Sequence, residues 1–181
     1  MKTIIIALLI GMGFLCGCET KTYTFVSTVS KDLVYTIDQK GAFSESYILY
    51  ADDFNEDLDL PEDAIIRGVN IESFAIKAEP QTGNEASSIK MEVYAGEEPD
   101  PFAEDVVLPV DVSFQAMPNL ISSAVNELKD KLEGFVKDSN PPSIAFWIAG
   151  NSEPADERIF VVIRIKATIT VAYDVESDIG L

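Results

Sequence analysis

Seven carboxylates fall within residues 52–63, with no Lys or Arg among them. Hard cations are held by oxygen ligands, and Asp53, Asn55, Asp57 and Asp59 recur there at every second position. The spacing makes these four the candidate ligands of a calcium ion, the one cofactor the composition invites. Two further acidic stretches follow. Glu97, Glu98, Asp100, Glu104 and Asp105 form one, and Glu153, Asp156 and Glu157 form the other. If these stretches meet in the fold, they form a single negative face. Paired carboxylates are also the minimum equipment of a glycoside hydrolase, in which one donates a proton and the other attacks or activates water.

Each of these chemistries has a plainer competitor. Counted from Asp53, an EF-hand loop would need Gly at the sixth position and Glu at the twelfth, where this chain has Leu58 and Ala64. A solvated acidic loop is the alternative to a calcium site. With 31 acids in 181 residues, some carboxylate pair at hydrolytic distance is expected by chance alone. The chain contains no histidine. That excludes Ser-His-Asp and Cys-His units, His-ligated zinc and an imidazole general base from within the chain. Glycines do not cluster as a phosphate cradle, and Asn151-Ser152-Glu153 lacks the hydroxyl residue of a glycosylation acceptor. Tyr23, Phe25, Tyr35, Tyr47 and Tyr50 would make a stacking surface for sugars if all faced one way. At strand spacing they divide between core and surface.

The first eighteen residues carry an address. Met1-Lys2 precedes an apolar run from Ile4 to Phe14, which is too short for the ~20 residues of a spanning helix and matches the apolar core of a secretory signal peptide. The run closes on Leu15-Cys16-Gly17-Cys18. This sequence resembles the lipobox of bacterial lipoproteins, in which a Leu, a variable residue and a small residue precede the cysteine that is lipidated. The resemblance implies a signal peptide over residues 1–17, a diacylglyceryl thioether and N-acylation at Cys18, and a lipid bilayer as partner. It implies a place in the bacterial cell envelope. Glu19 after the acceptor, rather than Asp, points to the outer membrane as the default destination. No disulfide is then available, because Cys16 leaves with the leader and the sulfur of Cys18 is occupied.

Loss of the leader removes Lys2 and no acid, so 12 bases face 31 acids and the net charge is −19. A field of that sign repels the phosphate backbone, and nucleic acid is excluded as a partner. Cations and basic surfaces of envelope proteins remain.

The elements that must position these residues read mainly as strands. Alternation of apolar and polar side chains marks strands at 21–29, 33–37, 43–50, 65–78, 88–95, 106–114, 144–149 and 159–175. Turn signals fall between them, among them Gly41, Pro61, Gly83-Asn84, Asn140-Pro141-Pro142 and Gly150-Asn151-Ser152. Residues 144–149 are apolar on both faces, as expected of a central strand. One helix is expected at 118–137, where Ile121, Val125, Leu128, Leu132 and Phe135 recur at helical spacing, and it would cover the outer face of strand 144–149. The last strand is long enough to serve both halves of the fold. The architecture expected is an antiparallel β-sandwich of about eight strands with one amphipathic helix, forming a single domain over 18–181. The function expected is a non-catalytic binding or assembly module. Alternatives are a carboxylate-dependent glycan hydrolase and a calcium-dependent adhesion module.

Overall fold

The computed structural model describes residues 19–96, 100–138 and 140–179. The leader, Cys16, Cys18, Glu97 and Glu98 lie outside the described residues. Eight strands and two helices follow in the order β1 (Glu19–Lys40), β2 (Phe43–Tyr50), α1 (Ala51–Leu58), β3 (Ile65–Pro80), β4 (Ser88–Ala95), β5 (Ala103–Pro109), β6 (Asp111–Ala116), α2 (Ser122–Asp138), β7 (Ser143–Glu153) and β8 (Arg158–Ile179). They form two four-stranded sheets, β1-β8-β3-β6 and β2-β7-β4-β5, paired antiparallel throughout. The expected sandwich is therefore observed. Its strand order is that of a jelly roll: β1 pairs with β8, β2 with β7, β3 with β6 and β4 with β5, so the chain is one long hairpin rolled into two layers.

The core lies between the layers. β8 contributes Ile159, Val161, Ile163, Ile165, Ala167, Ile169 and Val171, all buried at every second position. The opposing sheet contributes Ile89, Met91 and Val93 from β4 and Ile144, Phe146 and Ile148 from β7. A strand period of two puts every other side chain on one face, and burial of these rows supplies the main drive for the two sheets to pack.

Four expectations need correction. Residues 21–29 and 33–37 are one continuous strand: Ser30 and Asp32 are exposed, Lys31 is half-buried in the row of Val29 and Leu33, and the ladder with β8 runs through all three. Residues 106–114 are not one strand. Pro109 has no N–H for a ladder, and the chain changes sheets at Val110, leaving β5 in one layer and β6 in the other. β8 serves one sheet only. Helix α2 starts at Ser122, because Asn119 adopts a left-handed φ of 54° and Leu120 bridges to Ala103. The helix buries Leu128, Leu132 and Phe135 against β3 and α1, and leaves the outer face of β7 uncovered.

The extra length of β1 and β8 forms a two-stranded ribbon that runs past the body of the sandwich. From Lys21 to Val26 every residue of β1 is exposed, and beyond Asp174 the β8 strand has β1 as its only partner. Tyr23 and Phe25 are 43% and 48% exposed on this ribbon, with Phe25 stacked on Tyr173 at 5.8 Å. Asp174 ties the base of the ribbon together. Thr24 Oγ1 donates to its carboxylate at 2.6 Å from β1, and Arg67 pairs with the other oxygen from β3. Arg67 sits where the β3–β8 register slips between Ile66 and Gly68, and such a bulge re-aims a side chain.

These contacts give Asp174 a defined pH signature. The Thr24 hydroxyl first, and the Arg67 guanidinium second, hold its carboxyl below the usual range against the opposing effect of burial. An unfolded Asp titrates near ~3.9, so the stabilisation is complete above about pH 4 and is lost as pH falls through the lower folded value. Urea titrations from pH 7 down to pH 2 should show a steeper acid loss of stability in the wild type than in Asp174→Asn. Parallel acid limbs would contradict the assignment.

Candidate functional site

β2 ends at Phe43, opposite Gly150, whereas β7 continues for three more residues, Asn151 to Glu153. The chain leaves β2's line through a turn at Gly41, whose φ of +78° is the left-handed region that suits glycine. A groove of about 810 Å³ opens beside this end of β2 and extends across β7 to β4 and β5. The Gly41–Phe43 turn lines it on one side and Pro154–Asp156 lines it on another. Lys90 and Glu92 enter from β4 and Asp105 from β5.

The floor is made of small residues, Ala149 and Gly150. A Cβ on Gly150 would press into the Lys90 carbonyl oxygen and lie 2.6 Å from Met91 Cβ, so only glycine allows β7 and β4 to approach this closely. Ser152 also lines the groove; it is 2% exposed, and its Oγ is buried with no hydrogen-bond partner. A buried hydroxyl left unpaired carries a desolvation cost.

Four carboxylates, those of Glu92, Asp105, Glu153 and Asp156, face one ammonium, that of Lys90. Lys90 Nζ lies 2.7 Å from Asp105, and that hydrogen bond, reinforced by the nearby charges of Glu153 and Glu92, holds the ammonium above its ordinary pKa. Lys90 is thus a fixed cation and is unsuited to act as a base. One row further along the outer face, Tyr94 and Trp147 stack with centroids 5.0 Å apart and planes 5° apart. The Tyr94 hydroxyl donates to Glu92, which pushes its pKa up to about 12. Each ring covers one face of the other, and the pair forms a half-buried ridge beside the groove.

The four calcium candidates are placed differently. Residues 52–58 are helical where a loop was expected, because Ala51, Phe54 and Leu58 form a buried stripe at helical spacing. Phe54 packs on Phe135 of α2 at 6.0 Å, and Asp52 and Asp53 complement the positive end of the helix. On a helix, residues two apart point in nearly opposite directions, so the alternation that would align these ligands along an extended loop separates them. Asp53 and Asp57 share a face, where Lys31 donates to the Asp53 carbonyl at 2.9 Å and pairs with the Asp57 carboxylate. Asn55 Nδ2 donates to the Phe135 carbonyl at 3.1 Å, and Asp59 ends the helix at a left-handed φ of 48°. Among the described residues no group of three or more acidic or cysteine side chains is placed to hold a metal.

Part of the second and third acidic stretches does converge, since Asp105, Glu153 and Asp156 line the same groove, whereas residues 52–63 lie beyond the far end of β2. The five aromatic candidates do not share a surface. Tyr35 is buried edge-on to Tyr47 at 6.4 Å, while Tyr23, Phe25 and Tyr50 are exposed. Lys90, Glu92, Ser152 and the Tyr94–Trp147 ridge were not singled out from sequence. The available signal was the alternation of Lys90, Glu92 and Tyr94, which puts them on one face of β4.

No protein-family model matches the chain, and no curated protein is similar to it. Among solved structures the chain is similar to a decameric BFDV capsid protein at 12% identity, with 84% of this chain and 99% of that chain covered and a TM-score of 0.36.

The groove geometry makes a direct prediction. Gly150→Ala should destabilise the domain by about 1–3 kcal/mol through forced separation of β7 from β4. Equilibrium urea unfolding measures this, and a variant as stable as the wild type would show that the two strands are not in such close contact.

Proposed function

We propose that this chain is a lipoprotein of the bacterial cell envelope, anchored through acylated Cys18, that binds a partner without transforming it. The observation that carries this reading is the course of β1. The strand starts at Glu19, one residue after the lipobox cysteine, and its last residue, Lys40, directly precedes the turn that walls the groove. At about 3.3 Å per residue, its 22 residues set anchor and groove up to about 70 Å apart, at opposite ends of the molecule.

Two properties support the tethered arrangement. Tyr23 and Phe25 are exposed on the ribbon nearest the anchor, where amphipathic rings suit a headgroup region. Acyl chains contribute about 0.8 kcal/mol per buried methylene, enough for lasting attachment when two or more are present. The proposed destination is the outer membrane, from Glu19 at the position after the acceptor.

Binding without turnover is supported by the way the groove's groups are committed. Asp105 is engaged by Lys90, Glu92 accepts from Tyr94, and the chain has no histidine to activate a serine. Intact mass of the protein extracted from membranes should show residues 1–17 absent and acyl mass added at Cys18, and Cys18→Ser should shift the protein out of the membrane fraction. A mature mass without acyl addition would overturn the anchoring.

A further inference from the structure

We infer that the groove at the end of β7 binds an extended basic segment of a partner polypeptide, which adds as a strand beside Asn151–Glu153 in the lane that β2 vacates. This deepens the binding-module reading and does not depend on acylation of Cys18.

Two independent features support it. The first is main-chain valence. Asn151 to Glu153 pair with β4 on one side, and on the other β2 has already stopped. Along an antiparallel strand the N–H and C=O of successive residues point alternately to the two sides, so at least one of these three presents its pair to the lane. Strand addition at such an edge uses main-chain hydrogen bonds for affinity and flanking side chains for selection.

The second feature is charge. Four carboxylates against one ammonium give the lining a net charge of −3, within a chain of net charge −18. Lysine or arginine at alternating positions of an added strand would project on one face toward Glu153 and Asp156, which line the groove beside this end of β7, while the intervening residues face the other way. The wider negative field would also speed encounter with a basic partner.

The test uses the acylated full chain in detergent micelles and two blocked hexapeptides, one alternating lysine with valine and the other alternating glutamate with valine. In amide NMR spectra the lysine peptide should give saturable shifts at residues 41–43 and 150–156 below about 1 mM and slow amide exchange within Asn151–Glu153, while the glutamate peptide gives neither. Glu153→Lys with Asp156→Lys should weaken the lysine peptide at least tenfold. The same charge change on α1, Asp53→Lys with Glu56→Lys, should leave affinity within twofold. Equal weakening by both pairs, shifts centred on residues 52–63, or equal binding of the two peptides would overturn the inference in favour of general charge attraction. Should the groove variant fail to fold, the wild-type shift map decides alone. Repeating the map on Cys18→Ser separates this inference from the anchoring: an unchanged map there supports the groove whatever the acyl mass shows, and a lost map counts against it.

Discussion

The structure depends on the nested pairing of its strands. Because β1 pairs with β8 along its whole length, the beginning and end of the described chain are held side by side, and every later pair is stacked inside that outermost one. β8 is the spine of this arrangement. It has β1 on one edge and β3 on the other, and its inward row of Ile and Val packs on the facing sheet. A one-residue slip of β8 would turn that row out to solvent and its polar row inward, so the register of the first sheet is set by burial. No disulfide within the described residues assists it, and a domain of this size has enough core to do without one.

So few bases on so acidic a chain must be placed with economy. Lys31 meets α1, Arg67 meets Asp174, Lys90 meets Asp105 and Arg158 meets Asp38. Apart from Arg67–Asp174, whose carboxylate is buried, these pairs are partly exposed and contribute little to stability. Each joins two different elements. Lys31 ties α1 to β1. β6 is short, and its Phe114 lies between the ammonium groups of Lys77 and Lys166, 4.5 and 4.9 Å from the ring centre. At the β7 end, beside Asn151–Glu153, the acids collect.

Much of this architecture is legible in local pattern. β2, β4 and the buried row of β8 follow from alternation, and β7 is central as its apolar run suggests, although α2 does not cover its outer face. Other features are hidden by competing signals. Seven acids in residues 52–63 suggest a loop, while the Ala51, Phe54 and Leu58 stripe that makes a helix spans little more than two turns. The sheet change at Pro109 is a single missing donor in an otherwise unbroken alternation. The groove is the least legible feature of all. It exists because β2 stops opposite Gly150 while β7 goes on, and strand register of that kind is set by tertiary packing that no single segment encodes.

The jelly-roll topology also accounts for why the start of β1 and the groove lie far apart. When the outermost pair is the longest, its surplus length has to project from one end of the sandwich, and here it projects at the end where β1 begins. The turns that join the two sheets at the other end, 41–42 between β1 and β2 and 154–157 between β7 and β8, are adjacent because their strands pair with one another. Their divergence leaves β7 without a neighbour on its β2 side for three residues. Under the proposed anchoring, the same pairing rule that puts the lipidated cysteine at the tip of a ribbon puts the unfilled lane at the end facing away from the bilayer, where an incoming polypeptide meets no headgroups.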